Sequence, residues 1–325
     1  MKRQLVNAVF RLGGFRPFHV LVRNRILILM YHRFSDEERN STVSSDQFRQ
    51  HLQYLKKHAN PISLEDAVDA LESEVRLPAN PVVITIDDAY RDAYEIALPL
   101  LDEYKVKATL FAVTDFVDGR CWIWTDRLRF VLRQAGLRSA RTITTSAGDF
   151  HFAGHDSFLD ADRANGRLKK LPNDLKDEVI DEIARILDVD IPETPTPDYA
   201  PISWDQIEEM DSTNVRIESH TVTHPILTQV EPGQLDRELH DSKARLETML
   251  GRSVRYFCYP NGDVNPSVAD AVRRAGYEAA LTTEFGFNRG PIDPFLVRRI
   301  YAPASLEDFA QCTSGFESFK QMARS

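Results

Sequence analysis

Two adjacent aspartates, Asp87 and Asp88, directly follow the apolar run VVITI. At the end of a buried strand, two carboxylates repel each other and lose solvation, so a cation, a proton or exposure to water must compensate. Two histidines, His220 and His224, lie at and beyond the end of another β-rich run, VRIES. Aspartate and histidine together are typical ligands of a catalytic zinc ion, which takes three protein ligands and leaves one position for water.

The segment SHTVTHP alone is a weak indication of a metal site. A spacing of four residues would place both histidines on one face of a helix. However, Thr221, Val222 and Thr223 are poor helix formers and Pro225 follows, which favours a turn or loop. Two histidines there are more often exposed or hydrogen-bonded in a core. The aspartate pair shifts the balance toward a metal, because neighbouring side chains of an extended strand point in opposite directions and can take different roles.

Seven β-rich runs alternate with helical patterns, which favours a parallel sheet in an α/β protein. The runs are residues 26–31, 82–86, 108–113, 215–219, 254–259, 278–283 and 295–301. Seven strands suggest a barrel rather than an open sheet. The strand ends of a parallel α/β barrel meet at one face, where active sites are built. We therefore expect the polar residues that follow several of these runs to meet in one cleft; they are His32, Asp87, Asp88, His220, His224 and Asn261.

The order of the predicted strands and helices divides the chain into three parts. Residues 1–25 form a basic and aromatic helical segment, residues 26–305 form the barrel, and residues 306–325 form a C-terminal helix or tail. Residues 122–201 interrupt the barrel pattern with a predicted hairpin, a helix near 174–187 and a Pro-rich stretch. We interpret them as an inserted subdomain between two core strands.

Composition excludes some partners and leaves others open. A formal net charge of −9 disfavours nucleic acid, whose phosphates require a basic surface. Three widely spaced cysteines form no disulfide framework and favour reduced thiols in a cytoplasmic protein. The N-terminus lacks the continuous apolar core of a signal peptide, and its arginines prevent it from spanning a membrane. A peripheral membrane contact and a helix packed on the barrel both remain open for it.

Three ordered motifs resemble those of the polysaccharide deacetylases, carbohydrate esterase family 4. TIDDAY resembles the family's TFDDG motif, SHTVTH resembles H[ST]xxH, and FCYPNG resembles its third motif. The resemblance covers roughly residues 26–301 and implies a distorted (β/α)7 barrel that removes acetyl groups from N-acetylated sugars.

The resemblance also implies roles for individual residues. A divalent metal would be held by Asp88, His220 and His224, with zinc expected and cobalt, nickel or iron able to take the same ligands. Asp87 would be the general base, and the backbone N–H of Asn261 would face the developing oxyanion. Thr221 would order the histidine loop.

This chain departs from the family pattern at three positions. Ala89 replaces the usual glycine, a mild change if its φ is negative. Cys258 stands where many members have an arginine that orients the base, and we expect Arg298 or Arg299 to supply that charge. The family's late histidine is missing, since none follows His240. His32 is our candidate for the general acid, the alternative being a structural histidine.

Substrate contacts and substrate identity are less well defined by the sequence. We expect Tyr259, Pro260 and Trp124 to contact the sugar, although core packing is the more common role of a single tryptophan. The substrate would be an N-acetylated glycan or a lipid-linked sugar, and the sequence indicates no oligomeric state. Glu208, Glu209 and the acidic residues of 236–247 are predicted to be solvated. Two other functions stay open: a catalytically silent carbohydrate-binding barrel, and a metal-dependent amidohydrolase of a small non-sugar amide.

Overall fold

A computed structural model describes residues 2–37, 42–73 and 75–317 of the chain. Within these ranges the strands are β1 Leu27–Tyr31, β2 Asn60–Pro61, β3 Pro81–Asp88, β4 Ala108–Ala112, β5 Arg141–Thr145, β6 Gly148–Phe152, β7 Val215–Ser219, β8 Tyr256–Cys258, β9 Ala279–Phe285 and β10 Val297–Tyr301. The helices are α1 Lys2–Arg11, α2 Ser45–His58, α3 Leu64–Glu72, α4 Leu98–Tyr104, α5 Thr114–Val117, α6 Trp124–Ala135, α7 Ser157–Leu168, α8 Asn173–Ile186, α9 Trp204–Asp211, α10 Pro232–Leu250, α11 Pro266–Arg274 and α12 Leu306–Thr313.

Seven parallel strands close into a barrel in the order β1, β10, β9, β8, β7, β4 and β3, with β3 pairing back onto β1. These are the seven runs recognised in the sequence, so the predicted (β/α)7 barrel is confirmed. The strands β1, β3 and β4 are buried along their whole length, as expected for strands that a core covers on both faces. The short β2 adds to the beginning of β3.

The barrel is distorted where β7 meets β8, because the two strands share a single register pair, Ser219 with Phe257. The side chain of Glu218 replaces part of the missing strand pairing. Its buried carboxylate accepts hydrogen bonds from the backbone N–H groups of Arg255 and Tyr256, both at 2.7 Å. A carboxylate thus replaces a strand carbonyl, and the end of β7 is held in place.

The inserted residues form helices α6, α7 and α8 and the antiparallel hairpin β5–β6, around a hydrophobic core of their own. The predicted hairpin and the helix near 174–187 are present. The sequence interpretation missed α6 and α7. Several hydrogen bonds join the insertion to the barrel, and two of them lie beside the strand ends: the Tyr90 hydroxyl donates to Asp126 at 2.5 Å, and Arg33 Nη2 donates to the Asp198 carbonyl at 2.7 Å.

The first helix packs against α12. The backbone N–H of Asn80, which precedes β3, donates to the Arg23 carbonyl at 2.7 Å. Of the predicted C-terminal part, α12 is described and residues 318–325 lie outside the described ranges. None of the described helices combines the length and the apolar character needed to cross a membrane.

Candidate active site

Polar residues from four strand ends meet at the carboxyl face of the barrel. They line one cavity of about 680 Å³. Its floor contains His32 after β1, Asp87 and Asp88 at the end of β3, His220 and His224 after β7, and Asn261 after β8. Residues far apart in the sequence thus come together as the barrel topology predicts.

Asp88, His220 and His224 could hold a metal ion. Asp88 Oδ1 lies 3.5 Å from His220 Nε2 and 3.4 Å from His224 Nε2, and all three residues are buried. Among the described residues, Asp88 Oδ1 has no hydrogen-bond partner. An unpaired buried carboxylate oxygen is costly, and two imidazole nitrogens facing it complete an N₂O donor set that suits zinc and similar ions. The residues therefore fit the metal that the sequence suggests.

The two histidines both direct Nε2 at Asp88 but differ in pKa: burial acts to lower the pKa of His220, yet Cys258 and Asp88 outweigh it and the net pKa is raised. His220 Nδ1 lies 2.7 Å from the Cys258 carbonyl and donates to it, which leaves Nε2 free to face Asp88. Burial lowers the pKa of His224 to about 3, so this imidazole is neutral at neutral pH. For Asp88, burial acts to raise the pKa, but the neighbouring histidines outweigh it and the net pKa is lowered, so the carboxylate is ionised.

A second carboxylate orders the loop that carries these histidines. Thr221 Oγ1 accepts from the His224 N–H at 2.9 Å, as the resemblance implied. Glu238 accepts from the N–H groups of Val222 at 2.8 Å and Thr223 at 2.9 Å, and from the Thr223 hydroxyl at 2.6 Å.

The prediction that all acidic residues of 236–247 are solvated is therefore wrong for Glu238, which is 4% exposed. Helix α10 packs alongside the loop, and this one acidic position on the helix faces it. The neighbouring Asp236 is exposed, as predicted.

Asp87, the candidate base, is held by a buried arginine from β10. Arg299 Nη1 donates to Asp87 Oδ1 and Nη2 donates to Oδ2, both at 2.8 Å, while Nε donates to the Thr282 carbonyl at 2.9 Å. Burial acts to raise the pKa of Asp87, but Arg299 and His32 outweigh it, so the net pKa lies below its usual range. The carboxylate is thus ionised and fixed in orientation.

Of the two candidate arginines, Arg299 and not Arg298 supplies the charge beside the base. Arg298 lies on the opposite face of β10 and pairs with Glu284 at 2.9 Å. Cys258 lies next to the guanidinium, with Sγ 2.9 Å from Arg299 Nη2. Arg299 on β10 therefore provides, beside Asp87, the positive charge that Cys258 on β8 cannot provide.

His32 lies beside Asp87 and remains partly accessible from the cavity. Its Nε2 is 3.7 Å from Asp87 Oδ2, and 33% of its side chain is exposed. Its Nδ1 has no hydrogen-bond partner among the described residues. This placement is consistent with proton transfer to or from a bound group, and the role of general acid stays a prediction.

Of the three expected sugar contacts, Tyr259 lines the cavity, whereas Pro260 and Trp124 do not. Tyr259 is wholly buried and its hydroxyl donates to the Phe295 carbonyl at 3.1 Å, and Pro260 is buried beside it. Trp124 is 4% exposed because the apolar face of α6 packs into the core of the insertion, and Lys176 Nζ lies 4.3 Å from its ring centroid. Neither Pro260 nor Trp124 therefore faces the cavity, and a contact between Tyr259 and the sugar stays a prediction.

A family model described as polysaccharide deacetylase matches residues 74–280, more than half of the chain. This chain belongs to the polysaccharide deacetylase family.

Solved structures show the same fold over nearly the whole chain. The deacetylase PplD of Streptococcus pyogenes superposes with a TM-score of 0.61 and 22% identity, over 90% of this chain and 99% of that one. IcaB from Ammonifex degensii superposes with a TM-score of 0.58 and 19% identity, over 90% and 97% respectively. At these identities the likeness shows the fold alone.

Curated relatives match a smaller part of their own length. YxkH of Bacillus subtilis is 22% identical over 263 residues, which are 81% of this chain and 66% of that protein. A poly-beta-1,6-N-acetyl-D-glucosamine N-deacetylase of Staphylococcus aureus is 32% identical over 110 residues, 29% of this chain and 38% of that protein. The chain therefore spans less than two thirds of the length of these relatives.

This family member builds its candidate site on strained backbone. Five non-glycine residues there have positive φ: Asp88 at 76°, Ala89 at 69°, Thr221 at 73°, His224 at 60° and Asn261 at 55°. Each such conformation costs on the order of 1–3 kcal/mol and persists because the surroundings impose it. At Asn261 the carbonyl accepts from Thr283 Oγ1 at 3.0 Å, which holds the turn.

The condition under which Ala89 would be a mild substitution for glycine, a negative φ, is not met, because its φ is 69°. We expect Ala89→Gly to leave the free energy of unfolding within about 0.5 kcal/mol of wild type, because relief of left-handed strain of roughly 1–2 kcal/mol offsets both the unfolded-state entropy that glycine adds and the loss of a buried methyl group. Ala244→Gly, at an exposed position inside α10, should destabilise the fold by about 1 kcal/mol. Urea unfolding measures both, and an equal destabilisation by both substitutions would contradict the strain argument.

The wall of the cavity in this family member comes largely from the insertion and was mostly missed from the sequence. Asp126 lines the cavity and accepts from the Tyr90 hydroxyl and, at 2.9 Å, from Arg129 Nη1. Arg33 lies over the Tyr90 ring, 4.1 Å from its centroid, and donates to Asp92 at 2.7 Å. The partners come from distant segments, so no spacing in the sequence indicates them.

The carboxylate of Glu238 offers a direct test of the histidine loop. We expect Glu238→Ala to weaken metal binding by about 10- to 100-fold, because two backbone N–H groups of the loop lose their acceptor. Titration of the metal-free protein with Zn²⁺, followed by calorimetry, measures the change. Asp236→Ala, two residues earlier on the same helix and exposed, is the matched control, and equal Kd values for the two variants would contradict the role of Glu238.

Proposed function

We propose that this protein is a metal-dependent hydrolase that removes acetyl groups from N-acetylated amino sugars of a polysaccharide or a glycan precursor. The observation that carries the proposal is the pairing of two carboxylates at the end of β3. Asp88 faces His220 and His224, while Asp87 is held ionised by Arg299 at the same cavity. A binding module without chemistry has no need of both arrangements.

Each residue of the site has a step to perform in amide hydrolysis. Asp87 accepts the proton of the attacking water, and Arg299 keeps its carboxylate ionised and oriented. His32 donates a proton to the leaving amine. The N–H of Asn261 stabilises the developing oxyanion, a contribution of roughly 3 kcal/mol for one such donor. A divalent ion bound by Asp88, His220 and His224 would polarise the acetyl carbonyl and lower the pKa of a bound water.

Two observations support a glycan as the substrate. The cavity of about 680 Å³ lies within the range of roughly 300–1,000 Å³ typical of ligand sites, and it continues along the inserted helices. The Staphylococcus aureus relative is named for a polymer of N-acetyl-D-glucosamine. We therefore propose an N-acetylhexosamine polymer as the substrate class, with a lipid-linked sugar as the alternative source of the same acetamido group.

Metal content and acetate release test the proposal together. Protein purified without chelators should contain close to one equivalent of divalent metal by mass spectrometry, and zinc is expected. His220→Ala should lose the metal, and His240→Ala, an exposed histidine of α10, should retain it. Wild type should release acetate from oligomers of N-acetylglucosamine and not from small non-sugar amides. No metal in wild type after incubation with Zn²⁺ would overturn the hydrolase and favour a silent carbohydrate-binding barrel.

A further inference from the structure

The N-terminal segment, residues 1–25, differs in charge from the rest of the chain. It contains six Lys and Arg and no Asp or Glu. Because the whole chain has a formal net charge of −9, residues 26–325 carry −15. A basic segment on an acidic body attracts anionic partners to one place while the remaining surface repels them.

The same segment exposes the most accessible large apolar side chains of the described residues. Leu12 is 87% exposed and Val20 is 73% exposed, and the adjacent Leu21 is 46% exposed. Arg11 and Arg23, on either side of them in the sequence, are also exposed. Apolar side chains beside basic ones match a lipid surface, which takes leucine and valine at the acyl boundary and arginine at its phosphates.

Contacts on the other side of the segment decide which side chains face outward. Phe15 and Val22 are 3% and 2% exposed. The Phe15 ring lies 5.4 Å from that of Phe316, and His19 Nε2 lies 3.1 Å from the Tyr54 hydroxyl. These contacts attach the segment to the barrel helices, so the exposure of Leu12 and Val20 is a property of an ordered surface.

From this combination we propose that residues 11–25 dock the protein on the surface of an anionic lipid membrane. One end of the docking surface lies at the amino end of the barrel, where Arg23 contacts Asn80 just before β3. Asp87 lies seven residues further along that strand, about 23 Å away at roughly 3.3 Å per residue. The catalytic end of β3 is therefore separated from this end of the docking surface by the length of the strand. On the proposed function, the docked enzyme would reach glycan that extends from the membrane rather than sugar lying in the headgroup layer.

Vesicle binding of the full chain tests the proposal. We expect the protein to cosediment with phosphatidylcholine vesicles that contain about one third phosphatidylglycerol, and not with phosphatidylcholine alone. A charge variant combines Arg11→Gln, Arg23→Gln and Arg25→Gln. It should bind about 100-fold more weakly, since each basic residue near an anionic surface contributes roughly fivefold. An apolar variant with Leu12→Ser, Val20→Ser and Leu21→Ser should also lose binding.

The matched control removes three exposed basic residues of the insertion, Arg138, Lys170 and Arg185, each by substitution with glutamine. It should bind vesicles as wild type does. Thermal unfolding confirms that every variant is folded, and vesicle binding needs no catalysis, so an inactive enzyme would leave the result unaffected. Equal binding to both vesicle types, or wild-type binding by the charge variant, would overturn the proposal. A third result would also overturn the proposal: light scattering shows that wild type is a dimer, the apolar substitutions convert it to a monomer, and wild type binds no vesicles.

Discussion

Asp87→Asn is expected to lower kcat for acetate release by about a thousandfold. An amide cannot accept the proton of the attacking water, and general base catalysis contributes typically 10²–10⁴ in rate. The substitution keeps the size of the side chain, so the cavity and the facing cluster of Asp88, His220 and His224 stay in place. Steady-state kinetics on N-acetylglucosamine oligomers measures the effect.

Metal content separates this effect from damage to the metal site. The Asp87→Asn variant should retain close to one equivalent of metal, whereas Asp88→Asn should lose most of it together with activity. The two residues are adjacent, so each serves as the control for the other. If Asp87→Asn kept more than a tenth of the wild-type kcat, another group would be the base and the division of roles between the two aspartates would be wrong.

Arg299→Met is expected to move the acidic limb of the pH profile of kcat/KM upward by about 1–3 pH units. Asp87 acts as a base only when ionised. Burial acts to raise its pKa, and Arg299 is the largest influence that lowers it. Without the guanidinium the pKa rises, so activity that wild type retains at mildly acidic pH is lost in the variant. A guanidinium that served structure alone would change stability without moving this limb.

A matched control and a rescue make the test of Arg299 specific. Arg298→Gln removes the neighbouring arginine, whose side chain is 49% exposed, and should leave the pH profile unchanged. Loss of one partner of a buried ion pair destabilises a fold by roughly 3–5 kcal/mol, so thermal unfolding must accompany the kinetics. Adding Cys258→Arg to Arg299→Met should move the acidic limb back toward its wild-type position, because residue 258 lies beside the same carboxylate. An unshifted limb in folded Arg299→Met would contradict the assignment.

The barrel and the centre of the site are readable from the sequence because their signals are local. Each buried strand is a run of apolar residues, and Asp88 and His220 mark the ends of two such runs. The topology of a parallel barrel then brings those ends together without any further information.

The residues that hold these site side chains in place could not be predicted in the same way. Their roles depend on which face of a strand or helix packs against a neighbouring element. Arg298 and Arg299 are equivalent in the sequence, and only the register of β10 turns one inward. Glu238 is one acidic residue among several on α10, and the packing of that helix against the histidine loop selects it. Trp124 was misplaced for the same reason, since α6 was not recognised and its buried face could not be assigned.

The arginine on β10 has a consequence for how such sites diverge. The space beside Asp87 holds one guanidinium, packed between Thr282 and Cys258. A lineage that exchanges an arginine at position 258 for one at position 299 must pass either through a crowded pair of like charges or through a base with no partner. Both intermediates are disfavoured, so we expect the two arrangements to define separate branches of the family. The pair of residues at 258 and 299, taken together, would then serve as a lineage marker as well as a functional one.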